Sequence, residues 1–114
     1  MTRFQDATTW GQIGDIRLWI DKQSPAPDTL QALGLRLHKM TEELGEVALA
    51  YSCVMGSDPR TGRSQTEGQL AQALCDAILA GQVALATLVD NPSAVFSQRL
   101  PAVHERSLGI VRHD

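Results

Sequence analysis

Aromatic side chains are scarce in this chain, 4% of its residues, although 43% are hydrophobic. A core must therefore be made of Leu, Val, Ile and Ala, the composition of packed helices rather than of sandwiches or barrels. Cysteine is nearly absent: Cys53 and Cys75 are the only two thiols. They have no metal-ligand spacing and sit in apolar helical patterns, where free Cys acts as a small hydrophobe, so both are expected to be reduced in a cytoplasmic protein. Positive charge is in short supply, with a formal net charge of −3. A dedicated nucleic-acid binder needs cations to displace counterions, so nucleic acid is not an expected partner. The first residues, Met1 to Asp6, carry no apolar signal-like run, and nothing in them suggests secretion. The most apolar stretch, Ala71 to Val89, is broken by Gln72, Asp76 and Gln82, costly groups in lipid, and is expected to be a buried helix rather than a membrane span.

A phosphate-cradling glycine loop is also missing, because Gly56 to Gly62 lacks the Lys-Ser/Thr ending and follows no strand. His38, His104 and His113 stand at no metal-ligand spacing, and His104-Glu105 lacks the second His of a zinc-protease motif. No internal repeat or strand-like alternation competes with a helical reading.

What is present is helical periodicity. Trp10, Ile13, Ile16 and Ile20 recur on one face, with Thr8 or Thr9 able to cap the start of a first helix that ends near Gln23. Packing within the core or at a subunit interface is the expected role of Trp10 and Trp19, ahead of base stacking. Ser24-Pro25-Ala26-Pro27 is a stiff connector, and Asp28 can cap a second helix. That helix is long: Leu30, Leu33, Leu37, Met40, Leu44, Val47, Tyr51 and Val54 form one apolar stripe with no proline from 28 to 55. Gly34 and Gly45 each weaken it by about 1 kcal/mol relative to Ala, so tertiary packing must hold it. The turn formers from Gly56 to Ser64 predict a loop. Thr66 and Gln69 make a capping-box pattern for a third helix, which carries Leu70, Leu74, Ile78, Leu85 and Leu88 toward Asp90. Ala73, Ala77, Ala80, Gly81 and Ala84 give it a small-residue flank that allows close helix approach. Asn91-Pro92 opens a fourth helix, which Pro101 is expected to kink or split and Gly109 to end. With 114 residues, one all-α domain spanning 1–114 is expected, with helices two and three as an antiparallel hairpin. A domain this small buries a modest share of its surface, which makes a homo-oligomer a reasonable expectation.

Chemistry concentrates in the second and third helices. Residues three and four apart share a face, so Lys39, Glu43, Glu46 and Ala50 form one line beside the apolar stripe. By itself the run Thr41-Glu42-Glu43-Leu44-Gly45-Glu46 reads as a solvated acidic face. Beside a core stripe, however, neighbouring carboxylates invite a cation, and Asp76 within the most apolar part of helix three needs a partner. Arg60 and Arg63, in the connecting loop near this cluster, are candidates to clamp an anionic substrate, with a plain solvated loop as the alternative.

The segment Lys39 to Ala48, followed after one loop by Ala73-Leu74-Cys75-Asp76-Ala77-Ile78-Leu79-Ala80, resembles the MazG-like all-α nucleoside triphosphate pyrophosphatases. Their pattern is Glu-Glu-x-x-Glu on one helix and Glu-x-x-Asp on the next, and the resemblance runs from roughly Leu30 to Leu100. It implies an oligomeric four-helix fold, a homodimer or homotetramer. The implied reaction is magnesium-dependent hydrolysis of a nucleoside triphosphate to monophosphate and pyrophosphate, as in the clearance of noncanonical or deoxynucleotides. Glu43, Glu46 and Asp76 then match metal ligands, Glu42 an accessory catalytic Glu, and Lys39 a phosphate-binding residue. At the remaining ligand position this chain has Ala73, which offers no oxygen. A weakened or non-catalytic module that binds nucleotide or a protein partner is the alternative.

Overall fold

The computed structural model describes residues 2–56 and 65–109, with side chains described from residue 9 onward. The described chain is all-helical, with four α-helices and no strand: α1 (Thr2–Gln23), α2 (Thr29–Met55), α3 (Glu67–Leu88) and α4 (Pro92–Leu108).

Three of the four starts lie where local chemistry puts them. Asp28 is extended and its carboxylate accepts from Gln31 N at 2.8 Å. Thr66 and Gln69 form the reciprocal capping box: Gln69 N donates to the Thr66 hydroxyl at 3.1 Å, and Thr66 N to Gln69 Oε1 at 2.8 Å. Asn91 accepts from Ala94 N at 3.2 Å, ahead of Pro92 in the first turn, where a missing N–H costs nothing. Because the box satisfies two donors that the first turn leaves free, Thr66→Ala should lower stability by about 1 kcal/mol, read as a reduced midpoint in urea unfolding.

Three expectations need correction. The first helix begins at Thr2, not at Thr8 or Thr9. A threonine hydroxyl marks a possible cap but does not force one, and no Pro or Gly between positions 2 and 8 interrupts the helix. Nor does Pro101 split α4, which continues to Leu108 and ends at Gly109 in the left-handed conformation, φ 66°. One proline removes a single backbone donor, and the helix carries on around it. Nor is α3 the buried helix expected from its apolar run. It is long and apolar enough by length and composition to cross a membrane, with mean hydropathy 1.4, yet only 11% of that stretch is buried. Its apolar surface faces outward more than inward, and Asp76 is correspondingly exposed.

α2 and α3 make the most extensive pairing; α1 packs on α3, and α4 touches it more lightly. Near one end Gln65 N donates to Cys53 O at 3.4 Å. Further along, Met40 Cε lies 3.5 Å from where a Cβ on Gly81 would be, so the small-residue flank does admit a neighbouring helix. The buried apolar set is small: Ile13, Ala50, Cys53, Val83 and Ala84. Cys53 and Cys75 are both free thiols, the first buried as expected and the second exposed. Trp10 is half-buried against Phe96, ring centroids 6.1 Å apart, whereas Trp19 is exposed. The radius of gyration is 17.4 Å, against about 13 Å for a compact chain near this length.

Candidate functional site

Glu43 and Glu46 lie one turn apart on the flank of α2 that looks toward α3, and Asp76 comes from the middle of α3. All three line one cavity of about 270 Å³, together with Gln65, Gln69, Gln72 and Ala73. Four elements of the sequence reading thus meet there: the two glutamates, the aspartate and the alanine. Glu43 and Asp76 also line a second cavity of about 210 Å³, whose other walls include Ile16, Ile20, Arg36, Lys39, Leu79 and Val83. One cavity is rich in amide and carboxylate groups, the other is largely aliphatic, and two carboxylates stand on the wall between them.

Lys39 sets the local charge. Its Nζ donates to Glu43 Oε1 at 2.9 Å and lies 3.9 Å from Glu42 Oε2. The hydrogen bond to Glu43, followed by that carboxylate's charge, holds the ammonium above its ordinary range. Glu42 faces away from both cavities and pairs with His38 at 2.9 Å on the exposed side of α2. As i, i+3 and i, i+4 pairs near the surface these contacts are worth a few tenths of a kcal/mol.

Among the described residues no three His, Cys, Asp or Glu side chains stand close enough together to hold a metal ion. The donors nevertheless suit a hard divalent cation in kind, since three carboxylates and neighbouring amide oxygens are what magnesium coordinates. To gather on one ion, Glu46 and Asp76 would have to turn inward and Lys39 to leave Glu43. Ala73, on the wall of the same cavity, is where a fourth carboxylate is lacking.

Arg36, on the wall of the aliphatic cavity, was not singled out from the sequence, nor was its partner Asp21. Arg36 is 5% exposed, and its Nη2 donates to Asp21 Oδ1 at 2.7 Å, while Arg17 Nη1 reaches Asp21 Oδ2 at 3.0 Å. The pairing ties α1 to α2 beside the aliphatic cavity, and Arg36 Nε has no hydrogen-bond partner. The signal available was spacing, because Arg36, Lys39 and Glu43 share one face at i, i+3 and i+7. Arg60, Arg63 and His113 lie outside the described residues; His104 is exposed on α4.

Fold and site together define an all-helical protein with an acidic cavity beside an aliphatic one. The chain matches no family model, no curated protein and no solved structure.

Proposed function

We propose that this protein is a magnesium-dependent nucleoside triphosphate pyrophosphohydrolase of the MazG-like kind. In this reading it acts on a noncanonical or deoxynucleoside triphosphate, in the cytoplasm, as a homodimer or homotetramer. The observation that carries the proposal is the convergence of Glu43, Glu46 and Asp76, from two helices, on one cavity that adjoins an aliphatic one. The contacts Cys53 with Gln65 and Met40 with Gly81 support reading α2 and α3 as the antiparallel hairpin that frames it, since positions rise along one helix as they fall along the other.

The reaction adds water across the bond between the first and second phosphates, giving monophosphate and pyrophosphate. Bound magnesium, held by Glu43, Glu46 and Asp76, would supply the charge that polarises the phosphate chain. Of the chain's own groups, Lys39 would exchange Glu43 for a phosphate oxygen. Arg60 and Arg63, which lie outside the described residues, would add guanidinium contacts. Ile16, Ile20, Leu79 and Val83 offer the aliphatic walls that a base or sugar can fill. Incubation with a panel of triphosphates and magnesium should release monophosphate and pyrophosphate together. No release above buffer, with Glu46→Ala indistinguishable from wild type, would contradict the proposal.

Ala73 and the Lys39–Glu43 ion pair favour a second reading, a non-catalytic module that binds nucleotide or a protein partner. There Lys39 replaces the metal as the permanent counter-charge. Lys39→Met discriminates: with a working metal site, freeing Glu43 should raise manganese affinity roughly threefold to tenfold, about 0.7 to 1.4 kcal/mol, in a calorimetric titration. In the module reading neither form binds the ion.

A further inference from the structure

α1 makes its extensive contact with α3 rather than with α2. The aliphatic cavity is walled by Ile16 and Ile20 of α1, Arg36 and Lys39 of α2, and Leu79 and Val83 of α3. That wall contains a donor without an acceptor. Arg36 is 5% exposed, yet among the described residues its guanidinium has one partner, Asp21 on Nη2, and Nε is buried with none. A buried donor left unpaired is costly, and a guanidinium only donates, so whatever completes it must bring an acceptor. The aliphatic neighbours have none to give. Glu43 and Asp76 line this cavity too, but Glu43 is engaged by Lys39 and both carboxylates are shared with the acidic cavity, whereas Arg36 belongs to the aliphatic one alone.

Position along α2 says which part of a ligand meets it. Arg36, Lys39, Glu43 and Glu46 follow one another along one face, passing from the aliphatic cavity to the acidic one. Arg36 and Glu43 are seven residues apart, roughly 10 Å along the helix axis. A nucleotide with its phosphates at Lys39 and Glu43 therefore brings its base, not its phosphates, to Arg36. The cavity holds about 210 Å³, less than the roughly 300 Å³ at which small-molecule pockets begin, which is room for a base but not for a whole nucleotide.

We infer that Arg36 reads the base, and that it selects a ring carbonyl over an amino group at the same ring position: hypoxanthine over adenine, uracil over cytosine. A carbonyl accepts from the guanidinium. An exocyclic amino group is itself a donor and leaves Arg36 unpaired. The favoured bases are those that hydrolytic deamination makes from adenine and cytosine, by exchange of the amino group for a carbonyl with loss of ammonia. The inference rests on the nucleotide reading above for its class of ligand and narrows it to the deaminated members. It concerns binding, and needs neither magnesium nor turnover.

The test is calorimetric binding of matched nucleoside monophosphates to the full chain without magnesium: inosine against adenosine monophosphate, and deoxyuridine against deoxycytidine monophosphate. Each pair differs in that one substituent and the proton beside it. The carbonyl member should bind roughly fivefold to a hundredfold more tightly. Arg36→Gln, whose amide both donates and accepts, should bring each pair to within about twofold. Asp21 keeps its pair with Arg17 in that variant, so no acidic partner is stranded. Should Arg36→Gln fail to fold, the wild-type protein decides: the nuclear magnetic resonance signal of Arg36 Nε–H should move on addition of inosine monophosphate and stay in place with adenosine monophosphate. Equal affinity within the pairs, preference for the amino member, a preference that survives Arg36→Gln, an Arg36 signal indifferent to inosine monophosphate, or no binding of any monophosphate would overturn the inference. Turnover of triphosphates, measured alongside, keeps the two readings apart. Turnover without a carbonyl preference in binding refutes this inference and leaves the enzyme; a carbonyl preference without turnover does the reverse.

Discussion

Replacing Glu46 by Ala is expected to lower pyrophosphate release at least about a thousandfold, roughly 4 kcal/mol of transition-state stabilisation. Glu46 is exposed at the cavity between α2 and α3, and no ion pair joins it to a basic residue among the described contacts. Its removal takes away no packed volume and leaves no stranded partner. A loss of turnover without a loss of folding would therefore report on chemistry in the cavity. Glu43→Gln should be equally damaging, because it removes a candidate ligand, and it also removes the charge that pairs with the exposed Lys39 ammonium. Helical content and the unfolding midpoint, measured beside turnover, separate the two effects. The control is Glu42→Ala: Glu42 pairs with His38 outside both cavities, so its loss is expected to change turnover by less than about tenfold. A large effect there would return it to the accessory role its motif position implies.

The second large effect runs the other way. Ala73→Glu restores a carboxylate to the wall of the cavity that already holds Glu43, Glu46 and Asp76. Three carboxylates bind a hard cation weakly when one is engaged by lysine, and a fourth adds both an oxygen donor and a charge. Magnesium affinity should rise at least about tenfold, or 1.4 kcal/mol, by calorimetry. The size of the gain separates the two readings. A site already at work gains moderately, whereas a module without metal passes from no detectable binding to clear binding. Position 73 is half-buried beside Gln69 and Gln72 at the cavity wall, so the longer side chain extends into the opening rather than into the core.

What was legible in the sequence followed from chemistry that acts within a turn or two. Asp28, Thr66 with Gln69, Asn91 with Pro92, and Gly109 each mark a helix end where the structure has one, because a cap is a bond between near neighbours. The shared face of Lys39, Glu43 and Glu46 was equally readable from helical spacing. Features that depend on what lies across from a helix were not. Asp76 sits in the most apolar segment, which suggested burial, but α3 has too few neighbours to cover it and the carboxylate is exposed. Asp21 and Arg36 are fifteen positions apart, on α1 and α2, so no spacing within one helix announces the pair. Glu42 carries the same motif letter as Glu43, yet one step around the helix turns it to His38 and away from the cavity.

The proposed function requires Glu43, Glu46 and Asp76 to draw together around a cation. Titrating the protein with manganese, followed by electron paramagnetic resonance of the free ion, tests it without any assumption about substrate. The expected result is saturable binding by wild type that is lost in both Glu46→Gln and Asp76→Asn. Wild type that leaves the manganese signal unchanged, or variants that bind the ion as wild type does, would show that these carboxylates only face water.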